Sequence, residues 1–111
     1  MQVSRVQNGR AMVITLRGPM VAEELHLLDV EVHDCIDSGS TKIVFDMKEV
    51  PFIDSAGLER IQDFVTDLGR RGGDLYVAAL NDACHDIFLA TQMKSFVQVA
   101  DNVETALRSL S

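Results

Sequence analysis

The residues best placed for chemistry in this chain are Asp54 and Ser55, which stand between an apolar segment and the start of a helical pattern. A serine hydroxyl can act as a nucleophile, as a phosphate acceptor or as a helix cap. As a cap, the Ser55 hydroxyl would accept a hydrogen bond from a backbone N–H two or three residues later, a role worth about 1 kcal/mol. On general grounds this structural role is the commonest for a serine at a helix start, so the motif needs further support before it indicates function.

Two other kinds of chemistry fit the sequence poorly. A nucleophilic serine on a strand-to-helix turn has a glycine two residues before it, whereas Ile53 stands there in this chain. His26, Asp29 and His33 share one helical face, but a metal site needs three or four converging ligands, usually from more than one element. A second group of candidate ligands lies on a later helix, but successive helix positions point in different directions, so its side chains do not converge. This group consists of Asp82, Cys84, His85 and Asp86. We therefore predict no metal site, no cofactor and no enzymatic activity.

The composition of the chain limits which partners it can bind and where in the cell it is expected. The 111 residues are 47% hydrophobic and 24% charged, which predicts a single globular domain over residues 1–111. Ten Lys and Arg against 17 Asp and Glu give a net charge of −7, which disfavours binding to the phosphates of a nucleic acid. Because no apolar run approaches the roughly 20 residues of a membrane span and no secretory signal is evident, we expect a cytoplasmic protein without membrane contact. An acidic domain without an evident exposed apolar stripe is expected to be a monomer. Cys35 and Cys84 are predicted to be packed, reduced thiols.

The elements that position Ser55 follow from the periodicity of the sequence. Segments of β-branched or uninterrupted apolar residues predict strands at 2–7, 11–17, 42–46, 75–80 and 96–99. Asn8 and Gly9 predict a hairpin between the first two. Apolar residues at steps of three and four predict helices over 21–36, from Ser55 to the glycines at 72 and 73, after a cap at Asn81, and after a cap at Asp101. The order ββαβαβαβα predicts an α/β domain with a mostly parallel mixed sheet and an antiparallel N-terminal hairpin.

This arrangement gives the Asp54 and Ser55 pair a distinctive position. It lies at the carboxyl end of the parallel strand 42–46, which is where open α/β sheets bind ligands. The connection that delivers the pair, residues 47–58, is long for so small a unit, and long loops are commonly functional.

The residues of this connection also carry a resemblance to a known family. Residues 43–58, IVFDMKEVPFIDSAGL, resemble the signature of the STAS family, in particular of its bacterial anti-sigma factor antagonists, in which an apolar strand and an apolar-aromatic pair precede Asp-Ser-x-Gly-Leu. Residues 68–80, LGRRGGDLYVAAL, are similar to the family's Gly-rich turn and following strand. The resemblance extends over essentially the whole chain.

The resemblance implies a protein that switches between partners. The unmodified antagonist binds an anti-sigma factor that is also a serine kinase of the histidine-kinase-like ATPase class. Phosphorylation of the serine that maps onto Ser55 releases the antagonist, and a PP2C-type phosphatase resets it. The residues expected to bind the partner are Asp54, Ser55, Ala56, Gly57, Leu58, Phe52, Met20 and Val21. Gly57 would let the partner approach the helix start closely. The alternative is a non-switching STAS module that serves as a scaffold or a transport-complex subunit.

Three positions differ from the family's pattern. Residues 18–21, GPMV, stand where the family often has an acidic residue facing the serine, so Met20 and Val21 would offer an apolar contact instead. Ala56 replaces a second hydroxyl and leaves Ser55 as the sole acceptor, and Glu59 stands where a small residue is frequent. These differences keep the phosphorylation site and leave the identity of the partner open.

Overall fold

The computed structural model describes residues 1–110 and contains, within them, one five-stranded sheet and four α-helices. The strands are β1 (Gln2–Asn8), β2 (Ala11–Arg17), β3 (Lys42–Glu49), β4 (Asp74–Ala78) and β5 (Gln98–Ala100). The helices are α1 (His26–Asp37), α2 (Ser55–Arg70), α3 (Asp82–Ala90) and α4 (Val103–Leu110). The strands lie in the order β1-β2-β3-β4-β5, with β1 antiparallel to β2 and the other pairs parallel. The predicted α/β fold and the order ββαβαβαβα are confirmed.

The N-terminal hairpin and the central strand form as the sequence predicts. Asn8 pairs with Ala11, so residues 9 and 10 make the two-residue turn. Gly9 has a φ of 61°, the positive value that the first position of such a turn requires. Strand β3 has a parallel neighbour on each side, and its residues 43–47 are buried without interruption. A parallel strand that is covered on both faces needs a mainly apolar run of this kind, which only Asp46 interrupts here.

The two faces of the sheet are covered by different helices. Helices α1, α2 and α3 pack on one face and form the larger core, in which the rings of Phe45 and Phe64 meet edge to face with centroids 5.9 Å apart. Helix α4 covers the other face, where Ala78 of β4 and Ala100 of β5 lie against Ala106 of α4. Small side chains on the sheet leave room for this single helix.

Helix α1 starts later than the periodicity predicts, and the cause is tertiary. The prediction began the helix at Val21, but Val21 is extended (φ −123°, ψ 157°) and a short 3-10 turn, Ala22–Glu24, precedes α1. Met20 pairs with Ile53 in an isolated parallel bridge, and this pairing holds the chain extended where local spacing favours a helix.

Other element ends also shift by a few residues. Strand β3 continues to Glu49, beyond the predicted end at residue 46, whereas β4 stops at Ala78 because Ala79 turns to a φ of 63°. Strand β5 starts at Gln98 rather than at residue 96. The prediction that Asp101 caps α4 is wrong, since the Asn102 side chain accepts the Thr105 N–H at 2.8 Å.

In the part of the chain that the structure describes, each helix is too short or too polar to cross a bilayer. Cys35 and Cys84 are both buried and unbridged, as predicted.

Candidate functional site

The candidate site lies at the carboxyl edge of the sheet, where residues 50–54 connect β3 to α2; we call this segment the β3–α2 loop. Val50 and Ile53 anchor the loop in the core, with 0% and 2% of their surfaces exposed. Pro51 and Phe52 stand between these anchors and are exposed, and the Phe52 side chain has an exposed fraction of 49%. The loop therefore presents an aromatic side chain to solvent from a short, firmly anchored segment.

Met20 supports the loop from the side of β2. Its N–H donates to the Phe52 carbonyl at 2.9 Å, and its own carbonyl accepts the Asp54 N–H at 3.2 Å. The Met20 side chain is fully buried and packs in the larger core. This placement corrects the expectation that Met20 offers an apolar contact to a partner, while Val21 beside it is partly exposed.

Asp54 is the N-cap of α2. One carboxylate oxygen, Oδ1, accepts the Gly57 N–H at 2.9 Å, and the other, Oδ2, accepts the Ala22 N–H at 3.2 Å. The carboxylate thus joins the loop, the helix and the segment that follows β2. Asp54 has extended backbone angles, as an N-cap requires, whereas Ser55 is already helical. The cap role that the sequence suggested for Ser55 belongs to the residue before it.

Ser55 has a different environment from its neighbours. It is the first residue of α2, its side chain is exposed, and within residues 1–110 its hydroxyl makes no hydrogen bond. Ala56 and Leu58 are partly buried against the larger core, whereas Glu59, one turn after Ser55, is exposed. The solvent-facing groups at the helix start are therefore a serine hydroxyl and a carboxylate.

Gly57 is required by the packing of the protein itself. It is buried, and a Cβ added to it would lie 2.4 Å from the Met20 carbonyl oxygen and 2.8 Å from Cγ2 of Ile53. The backbone of the Met20 segment already occupies the space that a side chain would need. The absence of a side chain at Gly57 therefore brings two parts of this chain together, rather than opening the helix start to a partner as the sequence suggested.

The start of α3 holds the loop from the opposite side. The Val50 carbonyl accepts two hydrogen bonds, from Nδ2 of Asn81 at 3.1 Å and from Sγ of Cys84 at 3.4 Å. Burial raises the pKa of the Cys84 thiol, so the thiol keeps the proton that it donates. Asn81 is the cap of α3, as its position in the sequence predicts, because its Oδ1 accepts the Cys84 N–H at 2.8 Å. The second bond of the same side chain, to the Val50 carbonyl, has no signal in the sequence.

The other candidate residues do not converge. His26 and His33 are exposed on α1, and Asp29 pairs with Arg60 of α2, a hydrogen bond that raises the pKa of Arg60. His85 of α3 lies 2.9 Å from the Lys94 ammonium. Among residues 1–110 there is no group of three or more His, Cys, Asp or Glu side chains arranged to hold a metal ion.

Comparisons with known proteins identify a family and a fold. The family model described as STAS domain matches residues 2–106. A Thermotoga maritima protein proposed to be an anti-sigma factor antagonist superposes with a TM-score of 0.91 at 19% identity, over 97% of this chain and 93% of that chain. The Bacillus cell fate determinant SpoIIAA, in its phosphorylated form, gives a TM-score of 0.75 at 16% identity, over 99% and 100% of the two chains.

A transporter domain shares the same architecture. The STAS domain of a SulP transporter from Vibrio cholerae gives a TM-score of 0.71 at 17% identity, over 94% of this chain and 83% of that chain. No curated protein matches the chain significantly. At these identities the structural likeness establishes the fold that the chain shares with both antagonists and transporter domains.

Proposed function

The chain belongs to the STAS domain family, and we propose that it is an anti-sigma factor antagonist whose binding to a kinase partner is abolished by phosphorylation of Ser55. The observation that carries this proposal is the exposed Ser55 hydroxyl, which makes no hydrogen bond in residues 1–110 because Asp54 supplies the helix cap. A hydroxyl without a structural bond can be modified without cost to the fold. In this proposal the chain is a binding protein and the catalytic residues belong to the kinase and the phosphatase.

The helix start can accommodate a phosphate. Phosphorylation adds about −1.5 to −2 charges and three acceptor oxygens. The first N–H groups of a helix have no intrahelical partner, and the positive end of the helix dipole favours an anion there. Asp54 already accepts the Gly57 N–H, so a phosphate on Ser55 would use the N–H groups nearest to it, those of residues 55 and 56. The fold therefore tolerates both states of Ser55.

A bound partner would respond strongly to the same change. In the unmodified protein the surface around Ser55 combines the half-exposed Phe52 ring with a neutral hydroxyl, a combination that a partner can pack against. A phosphate there adds charge beside the carboxylates of Asp54 and Glu59 and displaces the packed contact. A loss of only about 3 kcal/mol of binding free energy lowers the affinity more than a hundredfold.

The partners that we propose follow from the family. They are an anti-sigma factor that is a serine kinase of the histidine-kinase-like ATPase class, and a PP2C-type phosphatase. SpoIIAA, which has been solved in unphosphorylated and phosphorylated forms and shares this fold, is an anti-sigma factor antagonist. The Asp-Ser-x-Gly-Leu sequence at residues 54–58 supports the comparison at the site itself.

Affinity capture with three baits tests the proposal: wild type, Ser55→Ala and Ser55→Asp. Wild type and Ser55→Ala are expected to retain a kinase of this class from the lysate of the source organism, and Ser55→Asp is expected to lose it. The purified kinase should then transfer phosphate to wild type and not to Ser55→Ala. Thr66→Asp, which adds a charge at an exposed position later in α2, is the matched control and should still bind.

Two outcomes would contradict the proposal. Equal phosphate incorporation into wild type and Ser55→Ala would place the modification elsewhere. Equal capture of the same transport or scaffold components by all three baits would favour the non-switching STAS module. Far-ultraviolet circular dichroism of Ser55→Asp should match wild type, which ensures that lost binding reports on the surface and not on the fold.

A further inference from the structure

We propose that Asn81 is a positioning residue that sets the direction of the β3–α2 loop and thereby controls how strongly the Ser55 surface binds its partner. This inference rests on the proposed function and adds to it a residue from a separate element, at the start of α3. Asn81 acts through the loop, because its side chain bonds to Val50 and not to Phe52 or Ser55.

Both polar atoms of the Asn81 side chain form hydrogen bonds. Its oxygen accepts the Cys84 N–H at 2.8 Å, which fixes the side chain on α3, and its amide nitrogen donates to the Val50 carbonyl at 3.1 Å. Because Cys84 donates to the same carbonyl at 3.4 Å, the peptide group that leads into the exposed part of the loop has a fixed orientation. The amide thus connects a rigid helix start to the first residue of the loop.

The loop has matching restraints at its far end. There the Met20 N–H donates to the Phe52 carbonyl, and the Asp54 N–H donates to the Met20 carbonyl. Phe52 is consequently held between a restraint from α3 and a restraint from the segment after β2. When the Val50 carbonyl loses its amide donor, only the longer bond from Sγ of Cys84 still restrains that carbonyl. Val50 stays buried, but the peptide group between Val50 and Pro51 is held less firmly, so the Phe52 ring is held less firmly relative to Ser55. A partner that needs both groups together would then have to order the loop on binding.

Two substitutions separate this role from capping. Asn81→Asp keeps an acceptor for the Cys84 N–H and removes the donor to Val50, and Asn81→Ser keeps a cap acceptor without adding a charge. Asn102→Asp is the matched control, because Asn102 caps α4 through the Thr105 N–H at 2.8 Å and the same substitution retains that bond. All three variants should keep the far-ultraviolet circular dichroism spectrum of wild type.

The first measurement is amide hydrogen exchange by NMR in the free protein. One lost hydrogen bond of ordinary net strength predicts that the Asp54 and Met20 amides exchange about two- to tenfold faster in both Asn81 variants. In Asn102→Asp their rates should equal those of wild type. Unchanged exchange of these amides in both Asn81 variants overturns the positioning role.

The second measurement is the affinity of the same proteins for the purified kinase. We expect the affinity to fall by about the same factor as the loop loses protection, in Asn81→Ser as well as in Asn81→Asp. Faster exchange with unchanged affinity in both variants would overturn the link between the loop and binding. If wild type itself fails to bind any such kinase, the proposed function fails, and the exchange rates still decide whether Asn81 positions the loop.

Discussion

Replacement of Gly57 by alanine tests the packing that places Ser55 at the sheet edge. The new Cβ would lie 2.4 Å from the Met20 carbonyl oxygen, whereas ordinary contacts of this kind are about 1 Å longer. The Met20 segment and the start of α2 must separate by a similar distance. The separation stretches the bonds of 2.9 Å and 3.2 Å that join Met20 to Phe52 and Asp54.

These contacts determine how far Gly57→Ala lowers the free energy of unfolding. Two hydrogen bonds are worth about 2 kcal/mol together, and overpacking at a tight contact costs about 1–3 kcal/mol. The better helix propensity of alanine returns about 1 kcal/mol. Gly57→Ala should therefore lower the free energy of unfolding by about 2–4 kcal/mol, which corresponds to a fall in Tm of roughly 8–16 °C for a domain of this size.

Gly69→Ala is the matched control, because Gly69 lies in the same helix and a Cβ there would meet nothing within 4 Å. This variant should be as stable as wild type, or more stable by up to about 1 kcal/mol. Guanidinium denaturation followed by circular dichroism measures both variants. If the two glycines tolerate alanine equally well, the backbone at Met20 is not packed against the start of α2.

Three further predictions concern single side chains around the loop. Asp54→Ala, which removes the acceptors of the Gly57 and Ala22 N–H groups, should lower the free energy of unfolding by about 1–2 kcal/mol in urea denaturation, and Asp54→Asn, which keeps one acceptor, should lose less. Because the pKa of the Cys84 thiol is raised in the folded protein, the thiol of the unfolded chain loses its proton first, near pH 8.5. The free energy of unfolding should therefore fall as the pH rises above this value, by up to about 1.4 kcal/mol per pH unit. Cys84→Ala should show a shallower pH dependence of this free energy in denaturation at several pH values. Phe52→Ala should change the stability by less than about 1 kcal/mol and weaken kinase binding at least tenfold in calorimetry, whereas Phe96→Ala, at an exposed ring just before β5, should leave binding unchanged.

The fold could be predicted because its signals are local. Continuous apolar runs marked the buried strands, and the steps of three and four residues marked the helices that cross between them. The errors occur where distant residues decide the local conformation. Val21 has the spacing of a helix residue, but the pairing of Met20 with Ile53 keeps it extended. Pairing of this kind between residues far apart in sequence leaves no periodic trace in either segment.

The position of the candidate site at the end of β3 could be predicted, but the separate roles of its residues could not. Asp54 and Ser55 are both good N-cap residues, and nothing in their order shows which one begins the helix. Gly57 signals a close approach without identifying the group that approaches, and this group is the Met20 carbonyl of the same chain. The bond from Asn81 to Val50 joins positions 31 residues apart, and only the packing of α3 beside β3 brings them together.

In the proposed switch, the division of roles between Asp54 and Ser55 limits what a phosphate on Ser55 changes. If Ser55 were the cap, its modification would remove a bond worth about 1 kcal/mol, and the fold would have to respond to the switch. Because Asp54 holds both the Gly57 N–H and the Ala22 N–H, a phosphate on Ser55 breaks no hydrogen bond among residues 1–110. The free energy of phosphorylation can then act on the complex alone, through charge and shape at the surface that carries Phe52 and Ser55. In the proposed switch, the phosphorylated form would therefore stay folded and remain available for dephosphorylation and reuse.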